Sequence, residues 1–296
     1  MERLPKYLHR SQGGLWLTED ERDNLKISYR IKDVLFEEDS PYQHVMVLDS
    51  HEFGPMLVLD GVVQTTSMDG HIYNEMISHV PMTVHSHPES VLIIGGGDCG
   101  VAKEVAKYEE AQRIDMVEID EAVVRASKQY MPEVSGNLSD SRIRYHYTDG
   151  VKFVQDKCEE YDVIIVDSSD PVGPAQMLFE LDFYENLQGA LKDDGLMVCQ
   201  SQSPILHQEV MKQSYERIGS LFPHLGLYTA VVPTYPGGLW SFTIGSKQEL
   251  PNPDELAFEK DAIYANEDLL RRCFSLPAFL QKLLDEETAG LEAADS

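Results

Sequence analysis

The chain's 296 residues include 51 Asp and Glu against 24 Lys and Arg, a formal charge of −27, with 42% hydrophobic residues. That length and apolar content suit one large folded domain or two unequal ones, and the charge argues against general affinity for nucleic acid or an anionic membrane surface. The field favours cations, although composition alone is equally well explained by solubility.

The first ten residues, MERLPKYLHR, have no apolar signal-peptide segment. The longest apolar runs, Val91–Ile94 and Val163–Val166, are far too short to cross a bilayer. Cys99, Cys158, Cys199 and Cys273 form no Cys-x-x-Cys pair, so neither a disulfide framework nor a zinc site is expected. His85 and His87 flank one serine beside a proline and read as a loop; no metal is expected. The expectation is a cytoplasmic protein with reduced thiols.

Residues 1–66 predict a small β-domain. Ile27–Tyr29, Tyr42–Leu48, Met56–Leu59 and Val62–Thr65 are β-rich runs, and Asp60-Gly61 between the last two is a hairpin signal. His71–Val80 has helical periodicity through Ile72, Met76, Ile77 and Val80. Strands are then predicted at Val91–Ile94, Arg113–Asp120, Ile143–Tyr147, Tyr161–Asp167 and Leu196–Gln200. Helices alternate with them at Val101–Tyr108, Ala122–Tyr130, Val151–Lys157, Phe183–Leu191 and His207–Leu221. Near-continuous apolar strands separated by helices predict an α/β fold, a mostly parallel sheet covered on both faces, over residues 67–296. The sequences LYTAVV and LWSFTIG around PTYPGG predict an antiparallel hairpin at its edge. Asn266–Leu284 predicts two closing helices, and the acidic end from Asp285 is expected to fray.

Ligands of such sheets bind beyond the strands' carboxyl ends. The first end is Gly95-Gly96-Gly97-Asp98-Cys99-Gly100, a Gly-x-Gly-x-x-Gly turn opening a helix. Asp98 would repel a pyrophosphate there and would suit an ammonium group. Glu118 ends the second strand, where an acid can accept ribose hydroxyl protons. Asp149-Gly150 ends the third, as an adenine neighbour or an ordinary helix cap. Asp167-Ser168-Ser169-Asp170-Pro171 ends the fourth. Two carboxylates there are costly without a cation to neutralise them, although Asp, Ser and Pro also build turns. The ligands implied are a positively charged adenosine and an amine.

The segments VLIIGGGDCG, VEID, TDG, VDSSDPVGPA and PTYPGGLWSF, with Tyr42-Gln43 and LDGVVQTT upstream, resemble the polyamine aminopropyltransferases, specifically bacterial spermidine synthases, from about Trp16 to Lys247. The resemblance implies a small N-terminal β-domain before a Rossmann-like, methyltransferase-type domain, assembled as a homodimer or homotetramer. It implies polyamine and nucleoside substrates: decarboxylated S-adenosylmethionine as aminopropyl donor, putrescine as acceptor, and spermidine and methylthioadenosine as products, with no resident cofactor. By position it makes Asp167 the proton acceptor. Gln43, Glu118, Asp149, Gly150 and Pro174 would hold the donor nucleoside. Tyr73, Asn74, Asp98, Asp170, Gln200 and Tyr235 would hold the amines, and Gly173–Phe179 is the expected gating stretch. Departures from the family pattern are Asn74 where His or Gln is common, Asp69-Gly70 for Asp-Glu, Cys99 for Gly, and Gln176 and Gln202 for Glu. Cys99 is read as a packing residue. The changes at 74 and 202 leave cadaverine, agmatine or a triamine as alternative acceptors. A methyltransferase and a silent polyamine-binding paralogue are the rival readings.

Overall fold

Alternating apolar residues build two sheets. In the computed structural model, which describes residues 4–22, 24–136, 139–169 and 173–285, strands β1 (Leu8–Ser11), β2 (Gly14–Arg22), β3 (Leu25–Asp39), β4 (His44–Ser50), β5 (Gly54–Leu59) and β6 (Val62–Thr66) pair antiparallel in sequence order. Asp60 and Gly61 both take positive φ, 50° and 89°, the tight hairpin turn expected of Asp-Gly. Strand β4 is buried on both faces, so its period of two splits its side chains between two cores. Met46 and Leu48 pack with Leu17, Tyr29 and Met56, whereas Val45 and Val47 pack with Ala122, Val123 and Ala126 of a helix in the second unit. The two sheets are thereby docked through apolar contact.

Helix α1 (Gly70–Val84) crosses to the second sheet. It continues a turn beyond the expected end at Val80, passing through Pro81, because Pro81, Met82 and Val84 are buried there. The parallel strands β7 (Ser90–Gly95), β8 (Arg113–Glu118), β9 (Ile143–Tyr147), β10 (Tyr161–Asp167) and β11 (Leu191–Gln200) alternate with α2 (Gly100–Val105), α3 (Glu121–Tyr130), α4 (Pro132–Ser135), α5 (Gly150–Gln155) and α6 (Leu181–Ala190). After α7 (Gln208–Gly219), β12 (His224–Val231) and β13 (Leu239–Ser246) form the predicted hairpin, which joins the edge of β11 antiparallel. Helix α8 (Glu267–Arg272) and a helical stretch at 278–285 close the described chain. The expected fraying beyond Asp285 lies outside the described residues.

Alternate residues of β7 and β10 face opposite cores: Val91, Ile93, Val163 and Ile165 toward α1 and α2, and Leu92, Ile94, Ile164 and Val166 toward α6 and α7. All are within 1% of full burial, which contributes about 1.5–3 kcal/mol per side chain and makes these strands rigid supports. The strand order is β12-β13-β11-β10-β7-β8-β9. Successive strands are laid to one side of β7 and then to the other, so the order reverses between β7 and β10. That is the crevice in which a doubly wound Rossmann-like sheet holds ligand. Among the described residues, no helix is long and apolar enough to cross a membrane.

Candidate active site

Beyond the β7–β10 crevice lies a cleft of about 810 Å³ whose walls come from both sheets. Its floor is the glycine turn. Gly95 and Gly96 have φ of +83° and +71°, and a Cβ on Gly95 would collide with the Asp167 carbonyl oxygen. The Gly96 N–H donates to that same oxygen at 3.0 Å, fastening the ends of β7 and β10 together. Gly100 opens α2 with Asn74 packed where its side chain would be. Cys99 is buried at φ +66°, and burial pushes its thiol well up, in keeping with a packing role.

Two carboxylates face each other across this floor. Asp98 accepts from Gly100 N at 2.8 Å and from Asn74 Nδ2 at 3.2 Å, and Asp167 accepts from the Tyr73 hydroxyl at 2.6 Å. Burial raises Asp98 above the ordinary carboxylate range. Burial also pushes Asp167 up to about 8, reinforced by the negative charge of Asp98 and offset by the Tyr73 hydrogen bond. Burial thus disfavours the ionised form of both groups, and an incoming cation would favour it. Tyr73 packs edge-on to Tyr235, ring centroids 5.6 Å apart, and Tyr235 donates to Gln64 O at 2.7 Å. Gln200 lines the same wall and donates to Ser168 O at 3.2 Å.

The other end of the cleft holds Glu118, Gln43, Asp149 and Gly150. Burial raises Glu118 to about 7 against the opposing backbone N–H of Asp120. Asp149 caps α5 through Val151 N at 2.9 Å and lines the cleft as well, so its two expected roles coexist. At Gly150 a Cβ would stand 2.6 Å from Ile94, so glycine is needed for this close approach.

Of the expected residues, the structure brings Gln43, Tyr73, Asp98, Glu118, Asp149, Gly150, Asp167, Gln200, Tyr235 and Gly95 to Gly97 to this one cleft. Asn74 is not at its surface but behind Asp98, 2% exposed, where it orients that carboxylate. Asp170 and the side chain of Pro174 lie outside the described residues. Gly173–Phe179 is a 3-10 turn that brings Met177 and Leu178 to the cleft.

Beyond Gln43, sequence reading missed what the N-terminal β-domain contributes. Glu19 and Glu21 of β2 and Gln64 of β6 line the cleft, as do Asp60, His207 and Trp240. Glu19 accepts the Val63 N–H, and Glu21 pairs with His207 at 3.1 Å. Residues 17, 19 and 21 share one face of β2, so Leu-x-Glu-x-Glu breaks the apolar alternation where the strand reaches the cleft. That break was the available signal. Among the described lining residues, seven carboxylates (Glu19, Glu21, Asp60, Asp98, Glu118, Asp149 and Asp167) face one lysine, Lys152, and one histidine, His207. The cleft is built for cations.

The loop histidine His85 has acidic neighbours that the sequence did not reveal, Asp162 and Asp194. His85 Nδ1 accepts the His87 N–H at 3.1 Å, which leaves the ring proton on Nε2, facing Asp194 at 3.8 Å. Asp162 is taken by two backbone N–H groups and Lys192. Asp162 is thereby committed to structural hydrogen bonds, whereas His85 Nε2 and the Asp194 carboxylate stand too far apart to form one.

Comparison with known proteins shows the family of the chain. A family described as the spermine/spermidine synthase domain matches residues 70–255, and one described as the spermidine synthase tetramerisation domain matches residues 15–67. Polyamine aminopropyltransferases of Thermoanaerobacter sp. (strain X514) and Caldicellulosiruptor saccharolyticus are 43% and 44% identical over 276 and 273 residues. Each alignment covers 92% of this chain, and 99% and 98% of those proteins. A spermidine synthase crystallised with the transition-state analogue AdoDATO superposes with a TM-score of 0.87 at 32% identity, and the Thermotoga maritima spermidine synthase with 0.85 at 32%. Both cover 95% of this chain and 98% of theirs. The chain belongs to the spermine/spermidine synthase family and is a polyamine aminopropyltransferase.

Proposed function

We propose that this enzyme transfers the aminopropyl group of decarboxylated S-adenosylmethionine to putrescine, releasing spermidine and methylthioadenosine. The observation that carries the reading is the pair Asp98 and Asp167, two carboxylates set at the strand-order reversal in a cleft that Gln43, Glu118, Glu19 and Glu21 also line. Glu118 and Gln43 hold the donor ribose, with Asp149 and Gly150 against the adenine. Asp98 takes the donor's ammonium group. Ordinary S-adenosylmethionine would set its own carboxylate against Asp98, a like-charge contact that rejects it.

The reaction forms a C–N bond as the C–S bond of the sulfonium breaks. The attacking amine must be neutral, yet alkylamines resemble Lys, with a pKa of about 10.4. The donor and acceptor cations favour ionised Asp167, which takes the amine proton. A base that titrates near working pH is suited to this. Tyr73 fixes one carboxylate oxygen, and Gln200 and Tyr235 bound the path of the amine. Glu19 and Glu21 receive the distal ammonium. The departures at Asn74 and Gln202 lie outside the cleft lining and leave its described carboxylates in place, which favours a simple diamine. The N-terminal sheet, most of which falls in the tetramerisation-domain match, is our choice for the surface that assembles a homodimer or homotetramer.

The test is an assay of the purified protein with the decarboxylated donor and putrescine, cadaverine, agmatine or spermidine singly, with product masses read by mass spectrometry. Spermidine from putrescine as the fastest reaction is expected. Faster conversion of another amine overturns the acceptor assignment, and methylated products with S-adenosylmethionine overturn the donor assignment.

A further inference from the structure

We propose that Asp120, a buried residue outside the cleft, fixes which atoms the donor end presents, so that Gln43 and Glu118 both offer acceptors to the two hydroxyls of a ribose. The proposal rests on the nucleoside-donor reading above and adds a positioning residue to it. Asp120 is 2% exposed and follows β8 at the turn into α3. One carboxylate oxygen, Oδ1, caps that helix by accepting Ala122 N at 3.0 Å. The other, Oδ2, reaches the N-terminal β-domain, accepting Gln43 Nε2 at 3.0 Å with Ser40 Oγ at 2.7 Å. Its backbone N–H donates to Glu118 Oε1 at 2.9 Å. One residue therefore touches both donor-end side chains and both structural units.

The consequence follows from donor and acceptor chemistry. A carboxylate only accepts, so Gln43 must turn its amide nitrogen toward Asp120 and keep its carbonyl oxygen for the cleft that it lines. Glu118 spends Oε1 on Asp120 N and holds Oε2 over the glycine turn, where a Cβ on Gly97 would stand 2.9 Å away. The cleft is thus offered one acceptor by each of these two side chains. A ribose diol supplies two donors, whereas a 2′-deoxyribose supplies one and leaves a half-buried acceptor without a partner.

The test is calorimetry of full-length wild type, Asp120→Asn and Asp120→Ser with methylthioadenosine and its 2′-deoxy analogue. Both replacements are good helix caps, so α3 keeps its N-terminus. Asn places an N–H opposite Gln43 and turns its amide over; Ser is too short to reach it. Wild type is expected to favour the ribose form about tenfold or more, and both variants to shrink that preference to about threefold or less. The donor KM should rise while kcat at saturating donor stays within about threefold. A preference retained in both variants, or affinities for both ligands falling in parallel, overturns the role of Asp120. Failure of the wild type to bind methylthioadenosine at all instead overturns the nucleoside-donor reading.

Discussion

Tyr73 donates its hydroxyl hydrogen to Asp167 Oδ1 across 2.6 Å, joining α1, the helix that leaves the first sheet, to the last residue of the central strand β10. The bond holds one carboxylate oxygen and turns the other, Oδ2, toward Gly96, where a Cβ would stand 3.2 Å from it. It also favours the ionised form, opposing the burial that raises Asp167. Removing it in Tyr73→Phe should therefore move the acid limb of the rate profile to higher pH and slow turnover at neutral pH by about tenfold. An acid limb that stays in place or moves to lower pH would refute the coupling.

Asp167→Asn removes the proton acceptor itself. Turnover should fall by about 10²–10⁴-fold, with affinity for methylthioadenosine changed only a few-fold, because the nucleoside end is untouched. Near-normal single-turnover rates in this variant would sink the assignment.

Donor discrimination should reside in Asp98. In Asp98→Asn the repulsion of a donor carboxylate is gone and the attraction for the ammonium is weakened, so the ratio of affinities for decarboxylated over ordinary S-adenosylmethionine should drop by about tenfold or more. Calorimetric titration with both donors reads this directly, and an unchanged ratio contradicts it.

The stability of the ligand-free protein should depend on pH in an unusual direction. Unfolded, these carboxyls titrate near 4, but in the fold Asp167 rises to about 8 and Glu118 to about 7. Between those limits the folded protein holds protons that the unfolded chain has released. The contribution is fully present below pH ~4 and is lost as pH rises through about 7 and 8. Asp167→Asn and Glu118→Gln should flatten this loss and melt above wild type at pH 8.5. Melting curves that run parallel at every pH would contradict the assignment.

Glu75, next to Asn74 on α1, is 1% exposed and accepts the backbone N–H groups of Ile263, Tyr264 and Ala265 at 2.7–2.8 Å. Glu75→Ala leaves all three without that partner, and urea unfolding should show a loss of about 2–4 kcal/mol. Glu75→Gln, which keeps one acceptor, should lose less; equal stability of all three proteins would argue against the clamp.

The parts legible in the sequence were those whose physics is local. The apolar runs Val91–Ile94 and Val163–Val166 need no partner to be read as buried strands, and Asp-Gly at 60 and 61 carries its own turn geometry. Strands β1 and β2 were not read, because β2 places Leu17, Glu19 and Glu21 on one face and so lacks an apolar stripe. Strand β3 runs over Leu25–Asp39, far beyond the expected Ile27–Tyr29; register shifts between Ile31 and Asp33 and between Val34 and Phe36 interrupt its alternation. In β2, pattern and fold conflict because the side chains face a ligand space instead of a core.

By itself the sequence determined the alternation of parallel strands and helices from Val91 onward and the acids that end those strands, Glu118, Asp149 and Asp167, together with Asp98 in the glycine turn. Those follow from periodicity and turn chemistry within a few residues. Only the tertiary structure decided which carboxylates would share one cleft, bringing Glu19 and Glu21 to its wall and Tyr73 onto Asp167 across 94 positions of sequence. The reason is that charge–charge repulsion and desolvation depend on distance and burial in space. A net charge of −27 says that cations are favoured somewhere; the reversal of strand order between β7 and β10 says where.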